Sequence, residues 1–363
     1  MAQPRQTRLT LLYADKKLDI SRDIMRDLLS FSYDDKETNE ADEISLSLKD
    51  PTGKWAGSWQ PDGGEVVQAY LATGSTQKKY KQIYCGRFYV DSLSVAGSPR
   101  TCEIKAVSIP LNKPIRKRLR SRAWESYTLK GIASEICKNA GIELLFDSDL
   151  NPSYKRLDQK QESDLKFLSG LCEEIGLSIK VTDDKLVIFS QEMYEKKAPI
   201  KTFTLGKSDI LSWSFECAQS EQYKSVTITY RDPKQKVAGS AGGYKTDSES
   251  DANLTGGNPA VMKYTATDDT VGEDGQEYIM KKRATSTAEA QRLARGKLRA
   301  LNRRHITGNI SVMGDVDLVA GVVIKCVGFG SFDGNFIVEQ ASHKVDSGGY
   351  VTDLTLCRVN TNY

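Results

Sequence analysis

The residues that could do acid–base or metal chemistry in this sequence are few and scattered. Of 363 residues only two are histidines, His305 and His343, and neither has a second ligand at a usable spacing. A zinc protease signature needs two histidines on one helix face, and a serine hydrolase needs a histidine base together with a Gly-x-Ser-x-Gly turn. Both patterns are absent from the sequence. A lone histidine in a strand-like run, such as His343 in 336–344, usually has a structural role.

One glycine-rich segment resembles a phosphate-binding loop at first sight. It runs Gly328-Phe329-Gly330-Ser331-Phe332-Asp333-Gly334. Such a loop must lead from a strand into a helix, whereas strand-like runs flank this one on both sides. The segment therefore predicts a β-hairpin, whose turns favour glycine and aspartate. A pair of catalytic carboxylates about 5 to 9.5 Å apart stays open, because only geometry can identify it.

Two basic clusters and two tryptophans are the remaining candidates for a functional surface. Each basic cluster is interpreted either as a solvated face or as a surface complementary to an acidic partner or to passing DNA. Aromatic residues that could stack on bases do not interleave with the basic ones, so sequence-specific nucleic-acid recognition is not expected. Of the tryptophans, one ring is expected in the core, and a loop tryptophan is also a favoured interface anchor. The candidate channel or interface residues are Arg292, Arg295, Arg299, Arg303, Arg116, Arg118, Trp55 and Trp59.

Composition limits the class of protein. The net charge of +3, with 39% hydrophobic and 27% charged residues, is ordinary for a globular protein of two or three domains and argues against bulk polyanion binding. We expect no membrane segment and no secretory signal. The seven cysteines are scattered along the chain without a C-x-x-C spacing, which predicts buried thiols rather than disulfides or a zinc site. We therefore expect the chain to be made in a reducing cytoplasm. No cofactor is expected.

The elements that would position these residues fall into three parts. Residues 1–112 show the period-two alternation of strands, as at 44–49, interrupted by turn signals. Residues 113–195 predict a small α/β module with two helices; the first has its apolar stripe between Thr128 as N-cap and Gly141 as C-cap. Residues 196–363 return to strands and contain a long helix that starts with a capping box at Ser286. The segment 232–259 predicts a mobile loop.

The order of these segments resembles the late control D family. These are baseplate hub proteins of contractile phage tails and phage-tail-like bacteriocins, and the Gram-positive branch is the nearest. The resemblance rests on Thr128–Ala133, on Gln161–Leu168 with Glu173–Leu177, and on Ala288–Arg299 followed by Gly308, Gly314, Gly321 and 328–334.

That resemblance implies a fold and a function. The fold is a β-rich α+β architecture: two tail-tube-like β-barrels, an inserted α/β module and one long C-terminal helix. The function is a non-enzymatic homotrimer whose pseudo-sixfold ring adapts a hexameric tail tube to a trimeric spike around a central channel. Expected partners are the tube, spike and other baseplate proteins, with DNA passing nonspecifically, and assembly is expected in the host cytoplasm. The alternative is a tail protein that binds or hydrolyses peptidoglycan.

Overall fold

The computed structural model describes residues 6–14, 18–38, 41–75, 78–109, 115, 118–182, 185–218, 222–236, 244–246, 259–284 and 286–359. Strands predominate among them, as predicted. The first part contains β1 (Gln6–Tyr13), β2 (Leu18–Asp19), α1 (Ser21–Asp27), β3 (Leu28–Lys36), β4 (Glu43–Lys49), β5 (Val66–Ser75), β6 (Lys78–Ala96) and β7 (Thr101–Val107). The middle part contains β8 (Leu119–Thr128), α2 (Leu129–Ala140), β9 (Glu143–Asp147), β10 (Ser153–Ser163), α3 (Asp164–Glu174), β11 (Leu177–Thr182), β12 (Lys185–Ser190) and α4 (Gln191–Glu195). The last part contains β13 (Lys201–Thr204), β14 (Ile210–Cys217), β15 (Tyr223–Lys236), β16 (Tyr244–Thr246), β17 (Pro259–Thr267), β18 (Gln276–Ala284), α5 (Thr287–Asn302), β19 (Ile306–Met313), β20 (Val323–Val327), β21 (Gly334–Asp346) and β22 (Gly349–Arg358).

The first and last parts of the chain share one sheet of thirteen strands. Its neighbours run β14-β19-β22-β21-β3-β4-β7-β6-β5-β1-β2, with β20 beside β21 and β13 beside β20. The two parts meet where β21 pairs antiparallel with β3. The division at 112 and 195 into separate domains therefore stays a prediction, since hydrogen bonds cross between the outer two parts.

The two halves of this sheet repeat one strand order. In the half we call repeat 1 the neighbours are β3, β4, β7, β6, β5 and β1. In repeat 2 they are β14, β19, β22, β21, β20 and β13, so strands that correspond in space also correspond in chain order. One difference is that β1 pairs antiparallel with β5, whereas β13 pairs parallel with β20.

Register and sequence support this correspondence. Phe88 on β6 lies opposite Val67 on β5, and in repeat 2 Phe336 lies opposite Ile324. Gly64 donates its backbone N–H to the carbonyl of Val90 at 2.8 Å, and Gly321 donates to Val338 at 2.8 Å. The segment 86–91 is Gly-Arg-Phe-Tyr-Val-Asp, and 334–339 is Gly-Asn-Phe-Ile-Val-Glu. Likewise 27–35 is Asp-Leu-Leu-Ser-Phe-Ser-Tyr-Asp-Asp, and 209–217 is Asp-Ile-Leu-Ser-Trp-Ser-Phe-Glu-Cys.

The α/β module has the predicted helices with their predicted ends. The Thr128 side chain accepts a hydrogen bond from the Gly131 backbone, and Gly141 ends α2 in the left-handed conformation at φ 61°. Strands β11, β12 and β9 form a three-stranded sheet, and β8 pairs with β10. The buried side of α2 consists of Leu129, Ile132, Ala133, Ile136, Cys137 and Ala140, the stripe that the sequence predicted.

By its contacts the chain divides into two compact units. The larger contains the thirteen-stranded sheet and most of the α/β module. The second contains a sheet in the order β16-β17-β15-β18 with α5 packed on it. As predicted, Ser286 caps α5 by accepting from the Glu289 backbone at 3.2 Å.

The predicted mobile loop at 232–259 needs a correction. Residues 232–236, 244–246 and 259 are strand, because β15 and β16 each pair with β17 along this stretch. The rest of the predicted loop lies outside the described residues. Among the described residues, no helix has the length and apolar content that crossing a membrane requires.

Candidate assembly surfaces

One face of the thirteen-stranded sheet is covered with small hydroxyl side chains, and we call it the hydroxyl face. Side chains alternate between the two faces of each strand, and here the other face is the apolar core. Partner registers place the outward side chains in rows across the strands. One row consists of Ser92, Lys105, Ser45, Ser32 and Lys344, and the next of Ser94, Glu103, Ser47, Ser30 and Asp346.

Two lysines of the hydroxyl face lie beside carboxylates. The Lys105 ammonium lies 3.6 Å from the Glu103 carboxylate, which also accepts from the Ser45 hydroxyl at 3.2 Å. The Lys344 ammonium lies 2.8 Å from the Asp353 carboxylate. These two ion pairs reduce the positive potential that the Lys105 and Lys344 ammonium groups would otherwise offer a polyanion.

The face continues onto β14, β19 and β22. There an open groove of about 450 Å³ is lined by five hydroxyl residues and one amide residue, together with Asp353 and the apolar residues Trp213, Ile310 and Leu354. The hydroxyl and amide residues include Ser212, Ser214, Asn309, Ser311 and Thr355. The hydroxyl face thus extends from repeat 1 across the β3–β21 junction to the end of repeat 2.

The two tryptophans lie together in the loop between β4 and β5. Trp55 is buried, donates its indole N–H to Asp27 at 3.0 Å, and has its backbone held by Asp50 at 3.0 Å. Trp59 packs edge-on against it at 5.6 Å and is 44% exposed, with the Lys54 ammonium 3.6 Å from its ring centre. One ring lies in the core as predicted, and the role of Trp59 as an interface anchor stays a prediction.

The four candidate arginines of α5 differ in their exposure. Arg295 is exposed, whereas Arg292, Arg299 and Arg303 are half-buried. The opposite side of the helix is buried through Ala290, Leu293, Ala294, Leu298 and Asn302. The arginines therefore do not form one uniformly solvated stripe.

The other basic cluster belongs in part to strand β8. Arg118 is exposed just before it, and Arg116 lies outside the described residues. Arg120 lies 3.3 Å from the Asp164 carboxylate at the start of α3, and Arg122 lies 3.2 Å from Glu135 on α2. These two arginines join elements of the α/β module, which limits any free basic surface here.

A buried charge cluster joins the α/β module to the sheet. The Lys180 ammonium on β11 contacts Asp35 at 2.5 Å and Asp42 at 3.1 Å. Burial raises the pKa of Asp42 to about 6, against the lowering effect of Lys180. Burial alone would lower the pKa of Lys180, but the two carboxylates raise it overall. Asp35 also accepts the backbone N–H of Ala320 at 2.9 Å, so the cluster holds three segments together.

The histidines have structural environments. His343 is buried between Tyr33, which stacks on it at 5.7 Å, and the Tyr350 hydroxyl, 2.7 Å from its Nδ1 atom. Burial lowers the pKa of His343 to about 4, so the ring is neutral at pH 7. The described residues contain no group of three or more His, Cys, Asp or Glu side chains that could hold a metal ion. Six of the seven cysteines are buried, as predicted, and Cys217 is exposed.

The hydroxyl face was missed by sequence reasoning. Its signal is serine at alternate positions in four segments, at 30 and 32, at 45 and 47, at 92 and 94, and at 212 and 214. Only the second and third of these were recognised as strands from the sequence.

Comparison with known proteins agrees with this architecture. The family model of the phage tail baseplate hub (GPD) matches residues 90–349. The probable baseplate hub protein of Escherichia phage P2 is 25% identical over 356 residues, covering 93% of this chain and 90% of that protein.

Two solved structures share the fold. The 43 kDa tail protein of prophage MuSo2 from Shewanella oneidensis has a TM-score of 0.68 at 14% identity, covering 97% of this chain and 98% of that one. A tail protein from Neisseria meningitidis MC58 has a TM-score of 0.66 at 13% identity, covering 97% and 96%.

Proposed function

The chain belongs to the phage tail baseplate hub family, and from that premise we propose that three copies form a ring that joins a sixfold tail tube to a threefold spike. As a hub it is a structural component of the baseplate. The family match favours this role over a peptidoglycan-binding one. We propose further that the chain has no enzymatic activity and that the ring assembles in the host cytoplasm before joining the tail.

The observation that carries the proposal is the internal repeat. Repeat 1 and repeat 2 share strand order and register, so three chains present six similar sheets. Closed rings are the common solution for identical subunits, and a threefold ring of doubled sheets matches both a sixfold and a threefold neighbour. The partners would be the tube protein on one side and the spike on the other, with further baseplate proteins around them.

The hydroxyl face is the surface we assign to the wall of a central channel. It is continuous across both repeats, polar and nearly balanced in charge. A passing DNA strand would find few unpaired ammonium groups to hold it, because counterion release at lysine and arginine dominates DNA affinity. Such a wall suits transit rather than retention.

The candidate loop and helix residues remain candidates for contacts with neighbouring proteins. Trp59 and Arg295 are the most exposed of the described set apart from Arg118. Arg295→Gln should leave the free energy of unfolding within about 0.5 kcal/mol, whereas Trp59→Ala removes a half-buried ring packed on Trp55 and should lower it by about 1 kcal/mol. Each should weaken binding to the tube or spike protein, measured by calorimetry. Unchanged binding of both partners would return these residues to the solvated surface.

Size-exclusion chromatography coupled to light scattering, together with negative-stain electron microscopy, tests whether the ring forms. The proposal predicts a mass of three chains and ring-shaped particles with a central opening. A single-chain mass at every concentration, with no rings in the images, would contradict it.

A further inference from the structure

The two ends of the repeated sheet differ in one respect. In repeat 1, β3 has a neighbour on each side, β4 and β21. Its counterpart β14 has β19 on one side, and no described strand pairs with its other side. An unpaired edge exposes backbone N–H and C=O groups, and proteins usually protect such edges with lysine, proline or a bulge. The sequence of β14, Ile-Leu-Ser-Trp-Ser-Phe-Glu-Cys, contains neither lysine nor proline.

A matching open edge exists on β6. Its counterpart β21 uses one edge for β20 along residues 334–337 and for β3 along residues 340–346. On β6 that edge pairs with β5 as far as Tyr89, and the backbone of Val90 is hydrogen-bonded to Gly64 and Glu65. Residues 91–96 pair with β7 on the other side, and no described strand occupies the edge beyond β5.

Exposure marks both edges as places where a neighbour is absent. Trp213 on β14 is 47% exposed, whereas its counterpart Phe31 on β3 is 1% exposed. Val95 on β6 is 44% exposed, whereas its counterpart His343 on β21 is fully buried. Phe31 and His343 are thus buried where β3 adjoins β21, whereas their counterparts on β14 and β6 are open.

From this correspondence we infer that β14 of one copy pairs antiparallel with residues 91–96 of β6 in a second copy, reproducing between chains the β21–β3 junction made within each chain. The inference rests on the proposed self-assembly and names its contact. The contact is head to tail, so each copy offers one edge and accepts one, and three copies can close a ring.

The register of the contact follows from the repeat. Ser342 lies eight residues after Gly334, as Ser94 does after Gly86, and Asp34 lies seven after Asp27, as Glu216 does after Asp209. Ser342 lies opposite Asp34. Ser94 therefore lies opposite Glu216 of the neighbour.

The pair Ser94–Glu216 also has the same combination of hydroxyl and carboxylate as Ser342–Asp34. The Ser342 hydroxyl donates to the Asp34 carboxylate. Ser94 and Glu216 can make the same bond between chains, since both are exposed in the single copy. The same register places Val95 of β6 opposite Phe215 and covers the open edge of β14 with the neighbouring strand.

Cysteine cross-linking tests this register. In a Cys217→Ser background, which removes the exposed native thiol, Ser94→Cys and Glu216→Cys are placed on separate chains. The chains are mixed and oxidised with oxidised glutathione. Paired strands hold opposite Cα atoms about 4.5 to 5.5 Å apart, within the range for a disulfide. The mixture should shift from the one-chain to the two-chain band on a non-reducing gel, and neither variant alone should do so.

Two matched variants serve as controls. Ser212→Cys in place of Glu216→Cys moves the thiol four residues, about 13 Å along the strand, and should give no two-chain band. Ser342→Cys with Asp34→Cys in one chain is the internal counterpart and should lose both free thiols without a change in chain number.

Light scattering on the same samples separates the two levels of the proposal. A three-chain mass with no Ser94–Glu216 link, or with equal linking of the shifted pair, overturns the strand pairing and leaves the hub role standing. A one-chain mass at every concentration, without the link, overturns the self-assembly and the pairing together.

Discussion

Strands β3 and β14 are two versions of one element in different surroundings. Both follow an aspartate and alternate serine with aromatic residues, so both present hydroxyls on one face and rings on the other. In β3 the rings are buried, since Phe31 and Tyr33 belong to the hydrophobic core and Tyr33 stacks on His343 of β21, whereas in β14 Trp213 stays 47% exposed. Nearly the same local sequence can therefore serve as core in one place and as a docking edge in another. The difference depends on whether the neighbouring strand belongs to the same chain.

The largest expected effect comes from truncating the two equivalent rings. Phe31→Ala removes a fully packed ring and should lower the free energy of unfolding by about 3 to 5 kcal/mol. Trp213→Ala should cost about 1 kcal/mol in the dilute single chain, because half of the ring is already in water. It should instead weaken self-association. Urea unfolding of dilute samples measures the loss of folding stability, and light scattering of concentrated samples measures the loss of self-association. An equal loss of folding stability in both variants would contradict the difference between β3 and β14.

The next effect concerns His343, which is buried beside the β21–β3 junction. Its pKa is lowered to about 4 in the folded chain from an ordinary 6.5, so the unfolded chain takes up the proton first. The contribution of His343 to stability is therefore complete above pH 6.5 and is lost as pH falls toward 4. The loss should reach about 3 kcal/mol at pH 4.

His343→Gln keeps a hydrogen-bonding side chain and removes this titration. Asp42, whose raised pKa gives the opposite trend, titrates in both proteins and cancels from the comparison. Urea unfolding at pH 7 and pH 4 should show the larger acid loss in the native chain. The same loss in both proteins would mean that His343 is accessible to protons in the folded state.

The smallest effect concerns Asp34 and Glu216, the carboxylates at corresponding positions of β3 and β14. Asp34→Asn weakens a hydrogen bond within the chain and should lower the free energy of unfolding by about 1 kcal/mol. Glu216→Gln should leave unfolding of the dilute chain unchanged and should weaken self-association by about the same amount. Analytical ultracentrifugation and urea unfolding distinguish the two, and a loss of folding stability in Glu216→Gln would break the correspondence.

Much of the helical structure could be predicted from the sequence. Helices α2 and α5 have continuous apolar stripes and capping residues at Thr128, Gly141 and Ser286, and such signals are local. Helix α1 was missed, since its seven residues span only about two turns and show too little periodicity to distinguish a helix from a turn. The strand β8 was not recognised from the sequence, where its arginines belong to one of the two basic clusters, because they acquire their carboxylate partners only when α2 and α3 fold against it.

The repeat was harder to recognise, although its two best segments are visible in the sequence. The matching segments are short, and their separations along the chain differ because β15 to β18 and α5 are inserted between β14 and β19. No fixed period results, and fixed periods are the usual sign of a repeat. The edges of β14 and β6 could not be predicted at all, because an open edge is a property of the sheet and not of one strand.

The most direct test of the whole account is a cryo-electron microscopy map of the assembled chain at a resolution that traces strands. We expect three chains whose six repeats are related by rotations of roughly 60°, with β14 beside β6 of the next chain and the hydroxyl face toward the axis. A ring in which β14 borders solvent, or in which the two repeats of a chain lie at unrelated angles about the axis, would contradict it.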